Sequence, residues 1–133
     1  MPHQFDFDST HRILRCRFVG CVSDEELREY YRTAAQYIAQ TDAVAGLTDF
    51  SEADAVEVSP QTIRELASLP PVIAEESRIR CVVAPTNKVF GLARMFELQG
   101  GQTRPNLRVV RTLKEALAIL GVLAPKFEQL SPV

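Results

Sequence analysis

Apolar and polar positions alternate one for one over residues 4–8, with Phe5 and Phe7 on one side and Gln4, Asp6 and Asp8 on the other. That period of two predicts a half-buried strand. Residues 13–19 repeat it, with Leu14, Cys16 and Phe18 apolar and Arg15 and Arg17 polar. The Ser-Thr-His-Arg stretch between the two runs is short enough for a hairpin, which sets Asp6 and Asp8 against Arg15 and Arg17. Exposed cross-strand pairs of this kind contribute about 0.2–1 kcal/mol each, so they are read as fixing register and solubility and not as a site. Gly20 is expected to close the second strand.

The period then changes to that of a helix. Ser23 and Glu26 form a capping box, in which the serine oxygen accepts an orphan amide while the glutamate reaches back to another. Leu27, Tyr30 or Tyr31, Ala34 and Ile38 recur at helical spacing up to about residue 39, which predicts one face laid on the sheet. Residues 43–50, AVAGLTDF, form a nearly continuous apolar run ending at Asp49, as an inner parallel strand requires, and a loop from Ser51 to Val58 is expected next. Ser59 caps a second helix, with Pro60 in its first turn, Ile63, Leu66 and Ala67 inward, and Pro70 and Pro71 as its stop.

A connector with one helical turn over 71–77 leads to a buried strand from Arg78 to Ala84, ended by Pro85. Helix 87–99 follows, terminated by Gly100 and Gly101, and then a strand over 106–111. Thr112 and Glu115 make a second capping box, opening a helix over 113–120 that buries Leu113, Ala116, Leu117 and Leu120 and stops at Gly121. The order ββαβαβαβα, with helices joining successive strands by right-handed parallel crossovers, defines an α/β fold. It predicts a mixed, mainly parallel sheet of about five strands with about four packed helices. Residues 1–121 are read as the domain and 122–133 as a tail, in which Phe127 and Leu130 are available to dock.

Composition narrows the function. A chain of 133 residues, 46% hydrophobic and 24% charged, suits one domain with one core. Its net charge of -2, with both signs interspersed, provides no basic stripe for nucleic acid and no polybasic segment for an acidic membrane. No apolar run approaches the ~20 residues of a membrane helix, and the opening MPHQFDFDST lacks the order of a secretory signal, so a cytoplasmic protein without membrane insertion is expected. Cys16, Cys21 and Cys81 form no CxxC pair and are expected to be reduced, buried hydrophobes.

The pattern VVAPTNKVFGLARMFE at 82–97, with RTLKEALAIL at 111–120 and the element order, resembles the SpoIIAA-like branch of the STAS superfamily. The resemblance spans roughly residues 4–121 and implies helices packed on a mixed sheet, with relatives that act as protein-interaction modules; similar folds in the CRAL-TRIO group hold apolar ligands. STAS proteins that antagonise anti-sigma kinases carry a phosphorylated serine directly after an aspartate, at the start of the helix after the third strand. Here Asp49 and Ser51 are present earlier in the segment, but Val58 occupies the position of that serine. Ser59, one position later, is the candidate phosphorylation site, in competition with its role as a helix cap.

Catalytic chemistry finds few components. There is no GxSxG, and His3 and His11, the two histidines, stand near the start and outside any HExxH or CxxC arrangement, so neither a triad nor a metal site is expected. No GxxxxGK[ST] or GxGxxG cradles a phosphate, and Asp49 lacks the clustered acids of a phosphoacceptor. The expectation is a protein without cofactor or enzymatic activity.

Two surfaces remain. Ligands in open α/β sheets sit outside the carboxyl ends of the strands, which gathers Asp49 and Ser51 with Thr86 and Asn87, the last two at a helix start able to meet an anion. Helix 87–99 has more apolar residues than one core face uses. Val89, Leu92, Ala93 and Phe96 share the inward side, while Phe90, Arg94 and Leu98 form an i, i+4, i+8 row pointing away, flanked by Gly91 and Met95. Either a partner or the folded-back tail is expected to cover that row. The leading reading is a regulatory module that self-associates or binds a partner protein. The alternative is a carrier or sensor of a small apolar or anionic ligand, with Arg94 or the Thr86 amides meeting its head group.

Overall fold

The computed structural model describes residues 3–70, 79–99 and 106–131, and within them strands and helices follow the predicted order. The hairpin is β1 (His3–Asp8) and β2 (Ile13–Ser23), followed by α1 (Asp24–Thr41), β3 (Ala45–Glu57), α2 (Pro60–Ala67), β4 (Arg80–Val83), α3 (Asn87–Gln99), β5 (Leu107–Val110) and α4 (Leu113–Leu120). A short β6 (Glu128–Gln129) closes the series. The sheet runs β5-β4-β3-β2-β1-β6, with β2 to β5 mutually parallel and β1 antiparallel to both neighbours. The mixed, mainly parallel α/β fold is therefore as expected, with six strands among the described residues.

Strand alternation divides the core in two. Phe5, Leu14, Cys16, Phe18 and Phe50 point to the face that carries α1, α2 and α3. Ile13, Leu47, Cys81 and Val83 point to the other, which carries α4. The first layer is built on stacked rings: Phe18 lies parallel to Phe50 at 4.6 Å, and Phe5 stacks on Tyr37 at 4.1 Å. The geometry also selects Tyr30 over Tyr31 as the inward tyrosine of α1, since Tyr30 packs on both Phe5 and Phe18. All three identified N-caps form: Ser23, Ser59 and Thr112 each accept an amide three residues on.

Several expectations change. Gly20 does not end β2; it takes φ +75° beside a register shift, and β2 continues to Ser23. The expected Ser51–Val58 loop is mostly strand, because that continuation of β2 gives residues 52–57 a parallel partner, pairing Val22 with Val56 and Ser23 with Glu57. Of the two courses open to the tail, docking or fraying, it takes the first: the Leu130 amide donates to the Phe5 carbonyl, the Lys126 amide to Asp8, and Val122 is buried. The connector turn at 71–77 and the Gly100–Gly101 stop lie outside the described residues.

The polar side of the hairpin is also not the exposed set of pairs expected. Asp6 and Asp8 are both buried. Asp6 does meet Arg15 and Arg17, at 2.9 and 2.7 Å, and accepts a further bond from Gln4 at 3.1 Å. Arg15 is held from its other side by Phe127, whose ring centroid lies 4.1 Å from the guanidinium carbon. Asp8 instead pairs with His11 and the Lys126 amide. Burial alone would raise its carboxyl, but bonds from the His11 ring, the His11 amide and the Lys126 amide together hold it below the ordinary 3.8.

The cysteines divide. Cys16 and Cys81 are buried as expected, and burial pushes the first thiol well above its ordinary value and the second up to about 11. Cys21 is exposed, because it follows the Gly20 bulge on the β2 extension. Since only thiolates react readily, iodoacetamide at neutral pH is expected to modify Cys21 alone in the folded protein and all three cysteines after denaturation. Mass spectrometry of the intact chain reads both counts.

Candidate functional site

The candidate residues fall into three places. Asp49 is buried inside β3 and not at a strand end, and its Oδ1 accepts the Ser51 amide at 2.9 Å together with the Ser51 hydroxyl. Asp49 registers with Val83, so this turn of chain lies beside the carboxyl end of β4, the strand that leads to Thr86 and Asn87. Thr86 Oγ1 accepts the Val89 amide at 3.2 Å and its carbonyl the Phe90 amide at 2.9 Å, so Thr86 caps α3. Asn87 is exposed at the first position of α3.

Ser59 sits where α1 and α2 meet. Its Oγ accepts the Thr62 amide at 3.2 Å and lies 3.0 Å from the Thr62 hydroxyl, while its own amide donates to Asp24 Oδ1 at 2.8 Å. That amide is the leading cause of the lowered Asp24 pKa. Ser59 is thus a bonded cap beside a carboxylate, and a phosphate on it would lie against the Asp24 charge.

The third place is α3. Val89 is buried, and Leu92, Ala93 and Phe96 pack on the first core layer, as its inward face requires. Phe90 and Met95 also touch that layer, so Phe90 does not point fully away; Arg111 covers its ring with the guanidinium carbon 4.1 Å from the centroid. Arg94 is exposed and paired with Glu97, and Leu98 is 70% exposed. The described part of the tail does not cover this face, because β6 docks on β1 while α3 connects β4 and β5 across the sheet.

Between the three helices and the sheet lies a cavity of about 150 Å³, partly open to solvent. Leu27, Ala34 and Ile38 of α1, Ile63 of α2, and Leu92 and Ala93 of α3 form its helical wall. Cys16, Thr48, Arg80 and Val82 line it from the sheet. The Tyr30 hydroxyl meets Thr48 Oγ1 at 3.0 Å in this wall. Burial pushes the Tyr30 phenol up to about 12, against the smaller opposing pull of the Arg80 charge nearby. The sequence reading sets a small ligand between helix 87–99 and a neighbouring helix, which is where this cavity lies, but it assigns the head group to Arg94, which is on the outer surface; Arg80, read as part of a buried strand, lines the cavity instead.

Among the described residues, no three His, Cys, Asp or Glu side chains are grouped to hold a metal ion, and no helix is long and apolar enough to cross a membrane.

With this architecture in place, solved structures provide the comparison. The unphosphorylated anti-sigma factor antagonist SpoIIAA superposes with a TM-score of 0.59 at 10% sequence identity, over 92% of this chain and 99% of that one. The Bacillus cell fate determinant SpoIIAA in its phosphorylated form gives 0.51 at 14% identity, over 89% and 98%. No family model and no curated protein matches the sequence. The chain has the SpoIIAA-like STAS fold, in agreement with the resemblance carried by residues 82–97 and 111–120.

Proposed function

We propose that this domain is a non-enzymatic regulatory module that docks a partner protein on the outer face of α3. The observation that carries the reading is the 70% exposure of Leu98 beside half-buried Met95 and Phe90, on a helix whose inward face is already packed. A single exposed leucine is ordinary. Here it extends an apolar row around an arginine, the composition of an interface centre. Gly91 adds open space on the same face, where a Cβ would meet nothing within 4 Å.

Charge narrows the partner. Arg94 stands exposed in the row beside Glu97, and Arg111 lies over the Phe90 ring. A partner with an apolar centre and an acidic rim complements that surface. SpoIIAA, which shares the fold, is an anti-sigma factor antagonist, and regulation through protein contact is the corresponding role here. The candidate nucleophiles support a non-catalytic reading: Ser51 is bonded to Asp49 and Ser59 to Thr62, with no histidine base at either.

A photo-crosslinking amino acid placed at position 98 is expected to give a discrete heavier adduct in cells, and the same group at fully exposed Leu123, beyond α4, is expected to give none. Equal labelling from both positions would count against the α3 face. An adduct of twice the chain mass would place a second copy there instead.

A further inference from the structure

We infer that the cavity beneath α1, α2 and α3 is a binding site for a small monocarboxylic acid bearing one apolar group, a single ring or a chain of about six carbons, with Arg80 and the Tyr30–Thr48 pair holding the carboxylate. This goes beyond protein docking and does not rest on it. Protein cores are close-packed and leave few voids larger than a water molecule. This one measures about 150 Å³, roughly the size of an apolar cavity that accepts benzene in another protein. The space arises from small residues at facing positions: Gly46 places no side chain on the wall, and Ala34 and Ala93 place one methyl each.

The polar atoms on that apolar wall match a carboxylate. Tyr30 and Thr48 share one hydrogen bond, which uses one of their two hydroxyl hydrogens, so the pair retains an O–H that can donate to a ligand. Arg80 brings a positive charge and five N–H donors, enough to engage a carboxylate alongside the contacts it keeps within the protein. Gly46 is its cross-strand neighbour in the β3–β4 register, so no side chain from that position screens the arginine from the cavity.

Hexanoate and its uncharged counterpart 1-hexanol test the assignment on the full chain, followed by NMR through the Ala34 and Ala93 methyl signals. Saturable shifts of both methyls are expected, with hexanoate the tighter ligand. Arg80→Met is expected to weaken hexanoate roughly tenfold to a hundredfold, the range of a charge-assisted contact, and to leave hexanol binding unchanged, which also reports an intact fold. Ala93→Leu is expected to fill the space and abolish binding of both. Absence of saturable shifts in the wild-type protein at millimolar hexanoate would overturn the proposal. So would binding that survives Ala93→Leu, or an Arg80→Met variant that still prefers the acid.

Discussion

Phe18→Ala is expected to destabilise the domain by about 4 kcal/mol, within the range for removal of a buried phenylalanine. Phe18 has no exposed surface, stacks on Phe50 at 4.6 Å and meets Tyr30 edge-on at 5.4 Å. It therefore joins β2 to β3 and both strands to α1 at one point. Alanine forfeits the transfer energy of the ring and leaves a hole that the stacked neighbours cannot close without moving. Urea unfolding measures the loss, and Val19→Ala at the adjacent, 45% exposed position should change stability by no more than about 0.5 kcal/mol. A loss below about 1 kcal/mol for Phe18→Ala would contradict this account of the core.

Asp6→Ala is expected to cost about 3 kcal/mol at neutral pH, near the lower end for breaking a buried ion pair. The Asp6 side chain is 3% exposed, and its two arginines are 16% and 27% exposed. Removing the carboxylate leaves both guanidinium groups side by side with only partial access to water. That residual access places the expected cost at the lower end. Glu65→Gln, which breaks the exposed Arg28–Glu65 pair, should change stability by less than about 1 kcal/mol. Equal effects from the two substitutions would mean that the Asp6 network is no better shielded than a surface pair.

Asp6 also shows how far the sequence could be read. Strand alternation set Asp6 and Asp8 against Arg15 and Arg17, which holds for Asp6 and not for Asp8, whose register partner is Ile13. It could not indicate burial, because the tail strand that pairs beside Asp6 and the Phe127 ring against Arg15 lie more than a hundred residues away in the chain. β6 itself has two residues, too short to show any period. Where local signals agree, the boundaries were legible: α3 begins at Asn87, and α4 begins and ends where the pattern of Thr112 to Gly121 places it.

The β3 extension was missed for a different reason. Ser51 to Glu57 contains Ser, Glu, Asp and Ala, poor strand formers, and becomes strand because β2 continues alongside it. Gly20 read as a stop because a glycine inside a strand pattern marks either an end or a bulge, and here it is the bulge. The outward position of Arg94 and Leu98 on α3 was legible from helical spacing, whereas Phe90 of the same row packs on the core, and the Arg111 that covers it comes from a turn beyond β5. The cavity is a property of the space between three helices and a sheet, and no single periodicity contains it.

The claim that α3 docks a partner protein is tested most directly by native mass spectrometry of the chain purified gently from its own cells, comparing the wild type with Leu98→Asp and Leu123→Asp. The expected result is one stoichiometric companion protein on the wild type and on Leu123→Asp, and none on Leu98→Asp at unchanged thermal stability. A companion retained by Leu98→Asp, or a wild-type chain that carries no companion, would contradict the claim.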